Sequence, residues 1–201
     1  MSACSQAPVD CEKAYDFRHA REYTIREQFL TLTPTYDIMD ENGCDIGTMS
    51  RRFFSFLRET DIEGNNVNLG RIETELLSFG YDMNVYDSDG NIINTADHKL
   101  MDSMLNFGGF YIEIKNTEGK IVGTMKQDPF SLFTGGAWKY FDIKDTEGNI
   151  IAEIEYTSFI PDTYKVTNNS DIDNRTIAGI VGLLDQIEDE MNDSDDSSSD
   201  D

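Results

Sequence analysis

The chain is poor in the residues that carry catalysis. It has two histidines, His19 and His98, and no G-x-S-x-G elbow, H-E-x-x-H pair, P-loop or G-x-G-x-x-G turn. A set of His98, Asp97 and Ser103 can be written down, but nothing in its spacing supports a triad. The reading is therefore non-enzymatic, with no cofactor and no metal. Basic residues are also scarce: 16 against 39 acidic ones, for a net charge of −23. Nine of the acids fall between Asp185 and Asp201, where no basic residue occurs, so the remainder still carries thirty acids against sixteen bases. A body that acidic repels nucleic-acid backbones and anionic membranes, so no nucleic-acid partner is expected.

No apolar run approaches the roughly 18 residues a membrane span needs, so no transmembrane anchor is expected. The first residues, Met1-Ser2-Ala3-Cys4-Ser5, show neither a basic nor an apolar leader segment, which leads to a cytoplasmic location with the nucleus as alternative. Three cysteines, Cys4, Cys11 and Cys44, are an odd number without metal-ligand spacing, and are read as reduced thiols.

Residues 1–22 show no periodicity and are read as a flexible arm, with a short helical stretch near Cys11–Arg21. From Tyr23 onward the pattern is β. A unit of strand, polar turn with glycine, and Ile/Val-rich strand occurs five times, with turn glycines Gly43, Gly64, Gly90, Gly119 and Gly148. Asp or Asn closes each turn with its side chain, and glycine supplies the positive φ such a hairpin requires. Five hairpins give ten strands, Tyr23–Leu30 adds one and Thr163–Val166 another. A sheet this large hides its edges by closing into a barrel, and a closed barrel needs a filler.

The filler is at the end. Asp171 and Asp173 are candidate caps for a helix that has no polar side chain from Ile177 to Leu184. A helix apolar all round is buried all round. Ile177, Ile180, Val181 and Leu184 are assigned to the core, and the small Gly179 and Gly182 to a tight fit against the wall. Gly182→Leu and Ile180→Asp are accordingly expected to unfold the domain. After Met191 the chain holds only Asn, Asp and Ser and is expected to be disordered. The expected fold is mainly β: a closed antiparallel barrel of about twelve strands around a central C-terminal helix.

The order of these features resembles one family. D-x-x-G hairpins are followed by Phe130-Ser131-Leu132-Phe133, Trp138-Lys139-Tyr140-Phe141-Asp142-Ile143 and Asn149-Ile150-Ile151-Ala152-Glu153-Ile154. Then come Asp162-Thr163-Tyr164-Lys165-Val166 and the apolar helix ending in Leu184-Asp185. This is similar to the LURP-one-related proteins, relatives of the tubby C-terminal domain and of phospholipid scramblases. The likeness covers roughly Tyr23 to Glu190 and implies a twelve-stranded barrel around a central helix. It places a barrel domain at 23–190 and an acidic Ser/Asp tail at 191–201.

Within that frame the expected function is a non-catalytic binding module, monomeric, for an unidentified protein partner or a phosphoinositide headgroup. A scramblase-like lipid-handling protein is the alternative, although the scramblases' proline-rich arm and cysteine cluster have no counterpart here. Arg51 and Arg52, with Arg58 nearby, form the densest basic cluster and the candidate anion or lipid site. The competing reading makes them solvated strand-end residues paired with carboxylates. Asp87-Ser88-Asp89-Gly90-Asn91 echoes the start of a calcium loop, but its twelfth position is His98 rather than Glu, so a hairpin turn is favoured. Trp138, Tyr140 and Phe141 are read as barrel wall rather than as a recognition patch. Ser194, Ser197 and Ser198 lie among aspartates in the manner of an acidophilic kinase substrate.

Overall fold

The computed structural model describes residues 11, 16–53, 58–77, 80–99, 111–126, 140–159 and 161–196. Twelve strands alternate inward and outward side chains along the chain. They are β1 (Glu22–Glu27), β2 (Thr35–Asp40), β3 (Asp45–Arg51), β4 (Arg58–Gly64), β5 (Val67–Leu77), β6 (Gly80–Asp87), β7 (Ile92–Lys99), β8 (Tyr111–Asn116), β9 (Ile121–Lys126), β10 (Tyr140–Lys144), β11 (Ile150–Phe159) and β12 (Asp162–Asn168). Each pairs antiparallel with its neighbours, and β1 closes the barrel against β12 with Tyr23 opposite Val166 and Ile25 opposite Tyr164. Among the described residues no strand is left with an open edge, which removes the hazard of a large antiparallel sheet.

Four turns are built alike. The side-chain oxygen of Asp40 accepts from the N–H groups of Asn42 and Cys44 at 2.8 and 2.9 Å. Asp87, Asn116 and Asp145 do the same two and four residues on. Gly43, Gly90, Gly119 and Gly148 each supply a φ between 76° and 90°. The β4–β5 turn differs. There the left-handed residues are Asn65 (φ 51°) and Asn66 (φ 60°), a two-residue turn of the primed kind. Gly64 lies one residue earlier, at the end of β4, where a Cβ would stand 2.7 Å from Leu69 Cδ1 and 3.0 Å from the Ile46 carbonyl. It is needed for room, not for positive φ.

The interior is filled by the part of α1 (Asn174–Asp196) up to Gln186; the helix enters at the end of the barrel carrying these short turns, and its bounds extend past Met191, where disorder was expected. Of the two candidates, Asp173 is the cap: its carboxylate accepts from Arg175 N–H at 2.9 Å. Ile177, Ile180 and Val181 are completely buried and Leu184 is nearly so. They meet inward residues of the wall such as Ile25, Ile72, Met83, Ile114 and Ile154 in one continuous core. Polar groups at the helix entrance are satisfied. Asn174 donates to the carbonyls of Phe17 and Ala20 at 2.8 and 2.7 Å, and accepts from Asn168. Thr176 donates to Asn94 at 2.9 Å. Arg175 is buried, yet it pairs with Asp173 and donates to the Leu69 carbonyl.

Three further expectations need correction. Cys11 and Cys44 form a disulfide, so the thiols are not all reduced. An odd cysteine count says nothing about which two meet; the pairing depends on the arm folding back onto the β2–β3 turn. The 3-10 turn Phe17–His19 falls in the short helical stretch expected near Cys11–Arg21, but the segment is not a loose arm there: Phe17 is fully buried, edge-on to Tyr23 at 5.2 Å between ring centroids. Finally, the helix glycines are not equivalent. A Cβ on Gly179 would meet Met83 Sδ at 2.7 Å, the expected tight fit, whereas a Cβ on Gly182 meets nothing within 4 Å. A single methyl at Gly182 therefore has room, and the tight fit to the wall is at Gly179. Gly182→Ala is instead expected to stabilise the domain by about 1 kcal/mol through helix propensity. A thermal melt should show it as a rise of roughly 2–4 °C.

Candidate functional site

The two ends of the barrel differ in construction. One carries the short hairpin turns and the polar helix entrance. The other is where α1 emerges and where β1 joins β2, β3 joins β4, and β9 joins β10. Among the described residues, most of the strongly exposed large apolar side chains gather at this second end: Phe29 (63 % exposed), Leu30 (101 %), Leu32 (93 %), Phe53 (64 %) and Tyr140 (66 %). Leu30 holds a left-handed φ of 60°, unusual for leucine. Its loop is anchored by Gln28 N–H to the Thr35 carbonyl and by Arg51 N–H to the Pro34 carbonyl. The last bond ties the β1–β2 loop to the end of β3, beside Phe53.

Strand alternation divides the basic cluster. Arg51 turns toward the helix and donates to Gln186 at 3.2 Å. Arg58 lines the same crevice, together with Tyr36, Thr60, Thr74 and Gly182. Its volume is 20 Å³, about the space of one water molecule. Arg52 points outward, held at 2.6–2.7 Å by both oxygens of Asp61 and at 2.5 Å by Glu59. Asp61 first, then Glu59, raise its pKa further above the ordinary arginine value. The three arginines thus form no single site. Arg51 and Arg58 face the barrel mouth, and Arg52 belongs to an outer ion-pair network.

Beside the mouth, Asp185 is nearly buried and accepts from the hydroxyls of Tyr36 and Tyr164 at 2.6 and 3.2 Å. Burial, and then the Asp185 carboxylate, push the Tyr36 phenol well above its ordinary pKa, so it stays a donor. These residues lock the last buried turn of α1 to β2 and β12. Sequence reading took Asp185 only as the point where the apolar helix ends. The signal available was a carboxylate adjoining eight apolar positions, which a buried helix tolerates only with partners.

The remaining candidates separate. His98 is buried against Tyr81, ring centroids 5.9 Å apart, and burial lowers its pKa so that it is neutral. Its neighbour Asp97 turns the other way and pairs with Lys115. Ser103, the third member of that set, lies outside the described residues, as do Trp138, Ser197 and Ser198. Ser194 lies in α1. Phe141 is buried in the wall, but Tyr140 is exposed and donates to Glu155 at 3.0 Å. The Asp87 carboxylate is occupied by turn amides and by the Asn91 side chain, which hold its pKa below the usual range. Among the described residues no group of three or more His, Cys, Asp or Glu is placed to hold a metal ion. No helix among them is long and apolar enough to cross a membrane.

A closed twelve-stranded barrel occupied by its own C-terminal helix is the tubby-like architecture. Its interior is spent on packing, which leaves the outer wall and the two ends for function. The family model for LURP-one-related proteins matches residues 21–185, and the chain belongs to the LURP-one-related family. The domain of this family is generally non-enzymatic. No curated protein matches the sequence.

Proposed function

We propose that the protein is a non-catalytic binding module that engages a protein partner through the end of the barrel where α1 emerges. One observation carries this reading: the barrel interior is filled by α1, while apolar side chains without a role in the core gather at that end. Ligand sites for small substrates are concave and hold hundreds of Å³. Here the crevice against the helix holds 20 Å³. A wider hollow of 280 Å³, bordered by Asp37, Asp45 and Glu63, lies on the acidic outer wall.

A phosphoinositide headgroup is the second reading, favoured by Arg51 and Arg58 sharing the mouth. The scramblase-like reading has no observation of its own among the described residues. A cytoplasmic setting accompanies the proposal only where the Cys11–Cys44 bond is reduced or transient, since disulfides persist in oxidising compartments.

One experiment with two arms tests the proposal. A photo-crosslinking amino acid is placed at Leu30, or at the exposed Ile150 of the opposite end, in the full chain exposed to cell extract. Separately, the chain is floated with vesicles doped with phosphoinositide. Discrete protein adducts from position 30, at least fivefold above those from position 150, are expected, without flotation. Flotation that Arg51→Glu/Arg58→Glu abolishes would transfer the function to the headgroup reading. Equal adducts from both ends, without flotation, would remove the assignment to this end.

A further inference from the structure

We infer that the Cys11–Cys44 bond is a reversible thiol–disulfide latch: closed, it pins the N-terminal arm to the β2–β3 turn, and a dithiol reductant opens it without unfolding the barrel. The latch lies at the end where α1 enters, opposite the end assigned to the partner, so it stands or falls separately from that reading. Three observations carry it.

The first is how the arm is held. Cys11 is bonded to Cys44, which follows Gly43 in the β2–β3 turn. The root of the arm is fastened by other means. Phe17 is fully buried against Tyr23, Ala20 is buried, and Asn174 donates to the carbonyls of Phe17 and Ala20. Opening the bond therefore leaves that anchor, and the barrel behind it, in place. It also leaves Cys11 tethered. The stretch of chain from Phe17 back to Cys11 spans at most about 20 Å, so the thiol stays near its partner and the bond can close again.

The second is access. Cys11 is exposed, whereas Cys44 is only 3 % exposed. A thiolate of the reductant attacks the Cys11 sulfur, the S–S bond breaks, and Cys44 leaves as a thiolate that takes up a proton. The reductant's second thiol then loses its proton and displaces Cys11 from the mixed disulfide. Two protein thiols and one oxidised dithiol result, with two electrons passed to the protein. Exposed disulfides are the readily reduced, regulatory kind.

The third is Asn174. Asn174-Arg175-Thr176 fits the acceptor pattern for N-linked glycosylation, but Asn174 is 1 % exposed and its amide is committed to Phe17 and Ala20, so this fold has no room for a glycan there. The secretory route couples that modification to an oxidising lumen. A chain that must escape the modification suits a reducing compartment, where a disulfide is made and broken as a redox signal rather than kept.

The test uses the full chain, the variant Cys11→Ser, and dithiothreitol as the dithiol, without denaturant. Thiol alkylation with peptide mapping reads the bond, circular dichroism reads the fold, and trypsin cleavage after Lys13 reads the arm. Dithiothreitol should make Cys11 and Cys44 open to alkylation, with an unchanged spectrum and a cooperative melt. Cleavage after Lys13 should then run roughly tenfold faster, while cuts within the barrel keep their rate. Exchange into oxidised glutathione should restore both the bond and the slower cleavage. Cys11→Ser should be cut at the fast rate with or without the dithiol. The inference fails if the bond yields to the dithiol only in denaturant, or if its reduction unfolds the barrel, since either makes it a permanent staple. It fails also if cleavage after Lys13 is indifferent to the bond, or if mapping joins Cys11 or Cys44 to Cys4 instead.

Discussion

Ile180→Asp is expected to abolish the fold. Ile180 is completely buried in the middle of α1, surrounded by the inward side chains of a closed barrel. Removing a buried isoleucine side chain costs about 2–5 kcal/mol through lost contacts and the cavity left behind. A carboxylate in that position adds desolvation with no donor among its apolar neighbours, or binds a proton and still buries an unsatisfied polar group. A domain of this size is stable by roughly 5–15 kcal/mol, so the sum approaches the whole. The variant should be insoluble, or should give a far-ultraviolet spectrum without a cooperative melt. Ile180→Val, which removes one methyl, should cost only about 0.5–1.5 kcal/mol and melt cooperatively. A cooperative Ile180→Asp variant with the wild-type midpoint would place Ile180 outside the barrel.

Gly70→Ala is expected to be the most damaging single-methyl change in the wall. Gly70 sits in β5 with φ 146°, opposite Ile62 and Asp87, beside a register shift between Ile62 and Glu63. A Cβ there would stand 2.1 Å from the Tyr86 carbonyl oxygen, a backbone atom that cannot rotate away. Forcing a side chain into that backbone region costs about 1–3 kcal/mol, and the displacement of β6 adds to it. A loss of at least about 3 kcal/mol should lower the melting midpoint by roughly 6–12 °C. An unchanged midpoint would mean that β5 and β6 do not approach as described.

The two glycines show where sequence is readable. The Asp/Asn turns at Gly43, Gly90, Gly119 and Gly148 announce themselves because all their interactions lie within four residues. Gly70 carries no local mark: its neighbour is a carbonyl sixteen positions away. Gly64 misleads for the opposite reason, standing beside Asn65-Asn66, which makes the turn itself. The apolar run Ile177–Leu184 discloses a buried helix through its lack of a polar face. Which of its two glycines meets the wall is a matter of the helix's rotation inside the barrel, and sequence does not carry it.

The candidate site was legible in part. Adjacent Arg51 and Arg52 fall on opposite faces by the period of a strand, so one cluster becomes two environments. The Asn174 bridge to Phe17 and Ala20 spans more than 150 residues, and the Cys11–Cys44 bond spans 33. Both bring the arm against the barrel, and neither has a local signature. From sequence, Leu30 is read only as the end of a strand and Leu32 carries no reading, because exposure of an apolar residue is a tertiary property.

The central claim is that the barrel is filled by its own helix, so that binding belongs to its surface. Amide hydrogen exchange on the full chain tests this most directly. The amides of Ile177–Leu184 should exchange only through global unfolding, among the slowest in the protein, while those of Phe29–Leu32 exchange fast. Fast exchange across Ile177–Leu184 under native conditions would show a helix outside the barrel, an open interior and a different kind of ligand.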